Sequence, residues 1–298
     1  MSRKTILHML TPLRHMSPFD VNMALDAGYD AVIPYTDVDL SDVGHLVQDA
    51  IFSRPPDAGV ATGIFLAGKD APLALDMLDA ARKAMVPPFE VSVFADPAGS
   101  FTTAAAMVAK VEKAMVKHHD RELNGTSVAV FGATGVVGYC TAVIAATEGA
   151  SVTIVGHDGI DRVAGIAASI KERFDVTVTP ADGSSEAQKS AIVRDTEVVL
   201  AAAKAGVQVL SKAQLGSAGG LLVAADVNAV PPPGIEGLKV NANGEALDAT
   251  QAVGIGPLSI GNVKYKTQAG LFEQMIKAKK SVIFDFRDAF TLAREIAK

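Results

Sequence analysis

The chain has 298 residues, of which 49% are hydrophobic and 20% charged, a balance that excludes a disordered chain and leaves room for two domains with separate cores. Its formal net charge of -6 argues against a nucleic-acid or anionic-membrane partner, so any anion site has to come from local geometry. One cysteine, Cys140, precludes an internal disulfide and suits a reducing compartment, and its apolar surroundings predict a buried packing thiol.

The opening "MSRKTILHML" is basic, but its apolar run is short and soon meets His8, Arg14 and His15, which is not the pattern of a signal peptide. With no apolar stretch long enough to span a bilayer, a soluble cytoplasmic protein is expected. "TILHML" reads as a strand and "SPFDVNMALDAG" as a helix, with Ser17 at the N-cap, Pro18 in the first helical position and Asp20 placed to close a capping box. The pairs "AVIPY" and "LSDVGHLVQDAIFS", "TGIFLAG" and "APLALDMLDAARKAM", "EVSVFAD" and "SFTTAAAMVAKVEKAM" repeat the alternation. Near-continuous apolar strands in this arrangement predict a parallel sheet covered by helices. His118 and His119, in a charged run at a helix end, read as solvated.

The polar, turn-rich "DRELNGT" at 120–126 is a domain boundary, and a second alternation follows. It runs through "SVAVFG", "VVGYCTAVIAATEG", "SVTIVG", "DRVAGIAASIKERF", "VTVTP", "SSEAQKSAIVRD", "TEVVLAAA" and "GLLVAADV". "NAVPPPGIEG" is a proline-rich loop, unable to serve as a central strand. "KTQAGLFEQMIKAKK" and "FRDAFTLAREIAK" are closing helices, the latter capped by Asp285. The fold expected is α/β, with two parallel-sheet domains. Residues 1–122 and 266–298 form a substrate domain, on which the C-terminal helices pack back, and residues 123–265 form a Rossmann-like NAD(P) domain.

The dinucleotide assignment rests on "VAVFGATGVVG". Gly132 permits the turn after the strand, Gly135 removes the Cβ that would block a pyrophosphate, and Gly138 allows the following helix to pack closely. The spacing is G-x-x-G-x-x-G rather than G-x-G-x-x-G, so the strand–loop–helix context carries much of the weight. Thr134, Gly135, Val136 and Val137 are the phosphate-side candidates. After the second strand of this domain, "SVTIVGHDG" places Gly156, His157 and Asp158. His157 can donate to a 2′-phosphate and Asp158 can accept from a ribose hydroxyl, although both also suit a helix start; the pair permits NADP without excluding NAD. Ala202 and Asn228, after later strands, are further cofactor-binding candidates.

Ligands of open parallel sheets bind beyond the carboxyl ends of the strands. In the first domain those ends collect His15, Asp20, Tyr35, Thr36, Lys69, Asp96, Ser100, Thr102 and Thr103, plus Phe19 and Phe101, a polar rim with two phenylalanines that suits a flat heteroaromatic ligand. A cleft between two such domains is where a hydride donor and acceptor would meet. "GIGPLSIGNVKYKTQ" brings Lys264 and Lys266 to one face if it stays extended, and a lysine there can orient a substrate carbonyl. The six histidines have no metal spacing, and no nucleophile motif is present.

With "HMLTPLRHMSPFDVNMALDAG", "QDAIFSRPP", "FADPAGSFTTAAAMV", "GATGVVGYC", "VGHDG", "DVNAVPPPGI" and "GNVKYKTQ", the chain resembles, over its whole length, the NAD(P)-dependent methylene-tetrahydromethanopterin dehydrogenases of methylotrophic bacteria. The more distant methylene-tetrahydrofolate dehydrogenases share the two-domain plan. The resemblance implies oxidation of the methylene bridge of a reduced pterin to the methenyl form, with hydride passing to NAD or NADP, in one-carbon (formaldehyde) metabolism. It places Lys264 near the reacting centre as a substrate-orienting group and Phe19 and Asp20 at the pterin pocket. Thr134 to Val137 and His157 face the cofactor. Gly156-His157 stands where strictly NADP-dependent relatives have Gly-Arg, which implies dual NAD/NADP use. Homo-oligomers, trimers in expectation, are implied as well, and no metal. The alternatives are a methylene-tetrahydrofolate dehydrogenase, a bifunctional form with cyclohydrolase activity, and a non-catalytic NAD(P)-sensing protein.

Overall fold

The computed structural model describes residues 3–248 and 250–298; Met1 and Ser2 of the basic start, and Ala249, lie outside the described residues. The chain divides into two compact units, Met1–Thr102 with Tyr265–Leu292, and Thr103–Lys264 with Ala293–Lys298.

In chain order the first unit contains β1 (Ile6–Leu10), α1 (Pro18–Asp26), β2 (Ala31–Tyr35), α2 (Leu40–Phe52), β3 (Thr62–Leu66), α3 (Ala71–Ala84) and β4 (Ser92–Ala95), after which α4 (Ser100–His119) begins. The second contains β5 (Ser127–Phe131), α5 (Val136–Thr147), β6 (Ser151–Gly156), α6 (Asp161–Phe174), β7 (Thr179–Asp182), α7 (Glu186–Arg194), β8 (Val198–Ala201), α8 (Lys212–Gly216), β9 (Val223–Asp226), β10 (Asn243–Ala246) and β11 (Val253–Ile255). α9 (Pro257–Lys277), β12 (Ile283–Phe284) and α10 (Phe286–Ala297) close the chain.

The first sheet is five-stranded in the order β12-β4-β3-β1-β2, and its pairings are parallel. Every residue of β3 and β4 is buried, as the unbroken apolar runs "TGIFL" and "SVFA" require of strands covered on both faces. Pro34 is tolerated because β2 is the edge strand. α9 is fixed to this unit by Phe272, whose ring centroid lies 5.4 Å from that of Phe65 and 5.3 Å from that of Phe94. Burying such a ring stabilises by about 1.5–3 kcal/mol. β12, a two-residue strand with no sequence signal of its own, extends the sheet beside β4.

The second sheet is seven-stranded in the order β10-β11-β9-β8-β5-β6-β7, parallel except for the β10–β11 pair. Read from β7, this is the order of a doubly wound dinucleotide fold, with its reversal between β5 and β8. β7 is shifted toward the C-terminus of the expected "VTVTP", β10 lies in "NGEA", which carries little strand propensity, and β11 is only the three residues "VGI". His119 is not simply solvated: its Nε2 lies 2.9 Å from the Leu222 carbonyl oxygen and ties α4 to the entry of β9. Cys140 is buried in α5. Among the described residues no helix is long and apolar enough to cross a membrane.

Candidate functional site

The sheet order puts the crevice of the second unit at the carboxyl ends of β5 and β8, where Gly132 and Ala202 lie. Gly132 has φ +90°, and a Cβ there would sit 2.4 Å from the Ala202 carbonyl oxygen. A Cβ on Gly138 would sit 2.4 Å from the Gly132 carbonyl oxygen, so the third glycine lets α5 close on the loop itself. Gly135 differs. Its φ of -95° suits any residue, and the nearest atom to an added Cβ is the Gly132 carbonyl oxygen at 3.4 Å. The chain itself hardly demands glycine at this exposed position, whereas a phosphate approaching the backbone would. No side chain caps α5, which leaves its first-turn amides to an anion. Thr134 is exposed and Val136 and Val137 are half-buried around this N-terminus. The loop therefore fits a dinucleotide pyrophosphate.

At the end of β6, Gly156 is packed so tightly that a Cβ would lie 2.1 Å from the Gly159 carbonyl oxygen. His157 and Asp158 are pushed outward and exposed. Asp158 receives a hydrogen bond from Arg162 Nη1 at 2.9 Å, and this guanidinium holds its carboxyl below the usual range. Asn228 is buried and committed to the loop around it. Its Oδ1 accepts from Gly206 and Val230 N–H at 3.2 and 2.9 Å, and its Nδ2 donates to the Pro232 carbonyl at 2.9 Å. The neighbouring Asp226 accepts the N–H groups of Asn228, Gly234 and Ile235, which fastens the proline-rich loop at both ends, while burial pushes its carboxyl up. Asn228 thus shapes the loop that follows β9, a role its sequence position did not reveal.

In the first unit the reversal of strand order falls between β1 and β3, whose following loops meet where Gly68 would place a Cβ 3.5 Å from the Pro12 ring. Asp20 is 1% exposed and accepts a hydrogen bond from Gln268 Nε2 at 2.8 Å. Ser17 makes no side-chain cap bond, so Asp20 turns into the unit instead of closing a capping box. Phe19 is 47% exposed. Phe101, the second aromatic expected on the rim, is buried against Phe286 at a centroid distance of 5.4 Å. The polar residues divide in the same way. Asp96 Oδ1 accepts the N–H groups of Phe101 and Thr102 at 2.8 and 3.1 Å, and its Oδ2 accepts the Thr102 hydroxyl at 2.7 Å. Asp96 and Thr102 are therefore the buried start of α4, with Ser100 and Thr103 half-buried beside them. Of the two phenylalanines, Phe19 alone faces outward.

Lys264 and Lys266 do not share a face. α9 begins at Pro257, so the segment is helical, and two residues along a helix are turned to opposite sides. Lys264 is half-buried and belongs to the stripe of Ile260, Val263, Thr267, Gln268, Leu271, Phe272 and Met275, whereas Lys266 is exposed. On that stripe Lys264 precedes Gln268 by one turn. Among the described residues no group of three His, Cys, Asp or Glu side chains is placed to hold a metal ion.

Gln268 and Arg162 are the polar residues that sequence reasoning passed over. Gln268 had a signal in the helical stripe, visible once the helix is started at Pro257. Arg162 had one in its spacing of four from Asp158.

The family described as methylene-tetrahydromethanopterin dehydrogenase, N-terminal, matches residues 18–98. The NAD(P)-dependent methylenetetrahydromethanopterin dehydrogenase of Methylorubrum extorquens is 55% identical over 294 residues, 99% of each chain. The Bifunctional protein MdtA of the same organism is 32% identical over 281 residues, 94% of this chain and 95% of that one. Among solved structures, the NAD-dependent malic enzyme of Thermotoga maritima aligns with a TM-score of 0.60 at 14% identity, over 97% of this chain and 84% of that one. The 5-ketofructose reductase of Gluconobacter sp. strain CHM43 aligns with a TM-score of 0.51 at 19% identity, over 99% of each chain. At these identities the structural likenesses speak for the α/β dehydrogenase fold alone. The sequence relatives go further: identity that extends over essentially the whole of both chains makes this chain a member of the NAD(P)-dependent methylenetetrahydromethanopterin dehydrogenase family.

Proposed function

We propose that this protein oxidises methylene-tetrahydromethanopterin to methenyl-tetrahydromethanopterin by hydride transfer to NAD or NADP, as a step of one-carbon (formaldehyde) metabolism. The observation that carries this reading is the 55% identity, over 99% of both chains, to the M. extorquens dehydrogenase of that activity. The phosphate loop with its unforced Gly135 supports the nucleotide half of the reading.

In this reading the second unit takes the dinucleotide and the first takes the pterin. The amides of Val136 and Val137 at the start of α5 hold the pyrophosphate, with Thr134 beside them. His157 and Asp158 face the ribose, and Ala202 and the loop organised by Asn228 border the nicotinamide side. Bound NAD(P) supplies the hydride acceptor. The bridging C–H bond breaks with both electrons leaving as hydride, while a nitrogen lone pair of the pterin forms the new C=N bond. No proton is released, so no general base is needed. What the chain has to provide is position and charge. Phe19 offers a stacking face, Asp20 a carboxylate for the cationic product, and Lys264 a cation that orients the pterin carbonyl. Ser100 and Thr103 complete the substrate set, with Phe101 and Thr102 shaping the start of α4 from within, while Lys266, turned to the other side of α9 from Lys264, stays outside it.

The test is steady-state oxidation of methylene-tetrahydromethanopterin with NAD and with NADP, using methylene-tetrahydrofolate as competitor. Turnover of the methanopterin substrate with either nucleotide is expected. Nucleotide binding without turnover would make the protein a sensor, and preferential turnover of the folate would reassign the pterin. Within the working enzyme, Lys264→Ala is expected to lower kcat by about 100-fold while the dinucleotide Kd stays within about twofold. Unchanged kcat and KM would remove Lys264 from the site.

A further inference from the structure

The turn from β6 into α6 lies beyond the strand next to the phosphate-loop strand, where a dinucleotide fold receives the adenosine ribose. It is closely determined. Gly156 is packed under the Gly159 carbonyl, and Gly159 has φ +110°, so His157 and Asp158 project from a fixed backbone. Arg162, in the first turn of α6, leans back toward the helix N-terminus as helical side chains do. Its Nη1 meets Asp158 Oδ2 at 2.9 Å, while the Arg162 side chain remains 59% exposed. On the other side, His157 Nδ1 is 3.8 Å from Asp158 Oδ1.

This placement of Arg162 calls for a reason. A cation in the first helical turn faces the positive end of the helix dipole, which is unfavourable for it. Asp158 offsets that locally, but a glutamine would avoid the conflict altogether. A neighbouring anionic ligand would benefit from the arginine instead. An acid alone at this turn accepts a ribose 2′-hydroxyl and repels a 2′-phosphate; an arginine alone favours the phosphate. Here both are present and in contact, so neither charge stands uncompensated before the ligand.

We infer that Asp158 and Arg162 together read the 2′ position of the adenosine ribose. The carboxylate accepts a 2′-hydroxyl, the guanidinium takes a 2′-phosphate, and the tolerance of both cofactors comes from this pair more than from His157. Arginine suits the task because its planar fork donates in parallel to two phosphate oxygens. The inference rests on the dinucleotide reading of this unit given under Proposed function.

Titration calorimetry of the whole protein with ADP and with 2′,5′-ADP separates the two readings, since neither ligand needs the pterin or turnover. Arg162→Gln is expected to raise the Kd of 2′,5′-ADP by about tenfold or more and that of ADP by less than about threefold. The NADP/NAD ratio of kcat/KM is expected to fall in step. Asp158→Asn is expected to act in the opposite sense, weakening ADP several-fold and leaving 2′,5′-ADP bound as tightly or more so. Equal changes for the two ligands in Arg162→Gln, as a damaged fold would give, overturn the inference, and so does no change. If neither ligand binds the native protein, the dinucleotide reading fails and this inference falls with it. If both bind and the variants do not discriminate, only the inference falls.

Discussion

Gly135→Ala is expected to fold like the native protein and to lose tight dinucleotide binding, while the same substitution at Gly138 or Gly132 is expected to destabilise the fold itself. The three glycines share a motif, but the structure gives each a different reason. At Gly138 a new methyl would lie 2.4 Å from the Gly132 carbonyl oxygen and 2.8 Å from the Ala133 Cα, both backbone atoms that cannot step aside. At Gly132 it would lie 2.4 Å from the Ala202 carbonyl oxygen, on a residue with φ +90°. Overpacking of this kind costs about 1–3 kcal/mol or more, and the positive φ adds about 1–2 kcal/mol at Gly132. At Gly135 the nearest atom is 3.4 Å away and φ is ordinary, so the folded state is expected to change by no more than about 1 kcal/mol. The methyl would instead occupy the space through which a pyrophosphate reaches the amides of α5. Loss of that approach is expected to raise the Kd of NAD and NADP alike by about 10- to 100-fold, roughly 1.4–2.8 kcal/mol. Thermal unfolding and calorimetric titration on the three variants would show the split. A Gly135→Ala protein that binds both nucleotides with native affinity would mean that the pyrophosphate does not pass over this residue.

The strand, turn and helix start around Gly132 were legible because their reasons are local, lying within eleven residues with packing that requires glycine at Gly132 and Gly138. The βα alternation was legible because strands such as "TGIFL", buried on both faces, leave an apolar run that loops do not imitate. What the sequence withheld is settled by partners far along the chain. Asp20 carries a capping-box signature, yet its hydrogen-bond partner Gln268 is 248 residues away. Phe101 stands in a segment rich in hydroxyl side chains, yet Phe286 draws it into the core. The start of α9 was obscured because "GIGPLSIGN" has the glycine and proline content of a loop. Pro257 is compatible with a first helical position, and a Cβ on Gly256 would lie 2.3 Å from the Lys239 carbonyl oxygen, so both residues mark a tightly packed helix entrance. An extended segment would put Lys264 and Lys266 on one face, and the helical period separates them.

Asp20→Asn is expected to lower kcat by about 100-fold or more while the protein keeps its fold and its dinucleotide affinity. A carboxylate 1% exposed is costly to bury unless it is hydrogen-bonded, and Gln268 Nε2 supplies one such bond at 2.8 Å. Asparagine has nearly the same shape and keeps a carbonyl oxygen in place to accept that bond, so the substitution removes the charge and retains the contact with Gln268. As hydride leaves the bridging carbon, positive charge spreads over the carbon and its two nitrogens. A fixed anion in a water-poor setting lowers that barrier more than it stabilises the neutral substrate, and its loss belongs in kcat rather than in KM. A purely structural carboxylate predicts the reverse pattern. If Asp20 served only to start α1, Asp20→Asn would cost at most about 0.5–2 kcal/mol of stability and leave the hydride step untouched. Single-turnover measurement of nicotinamide reduction, paired with thermal unfolding, distinguishes the two: a native hydride rate in a destabilised protein would return Asp20 to the scaffold, and a slowed rate in a stable one would keep it beside the cation.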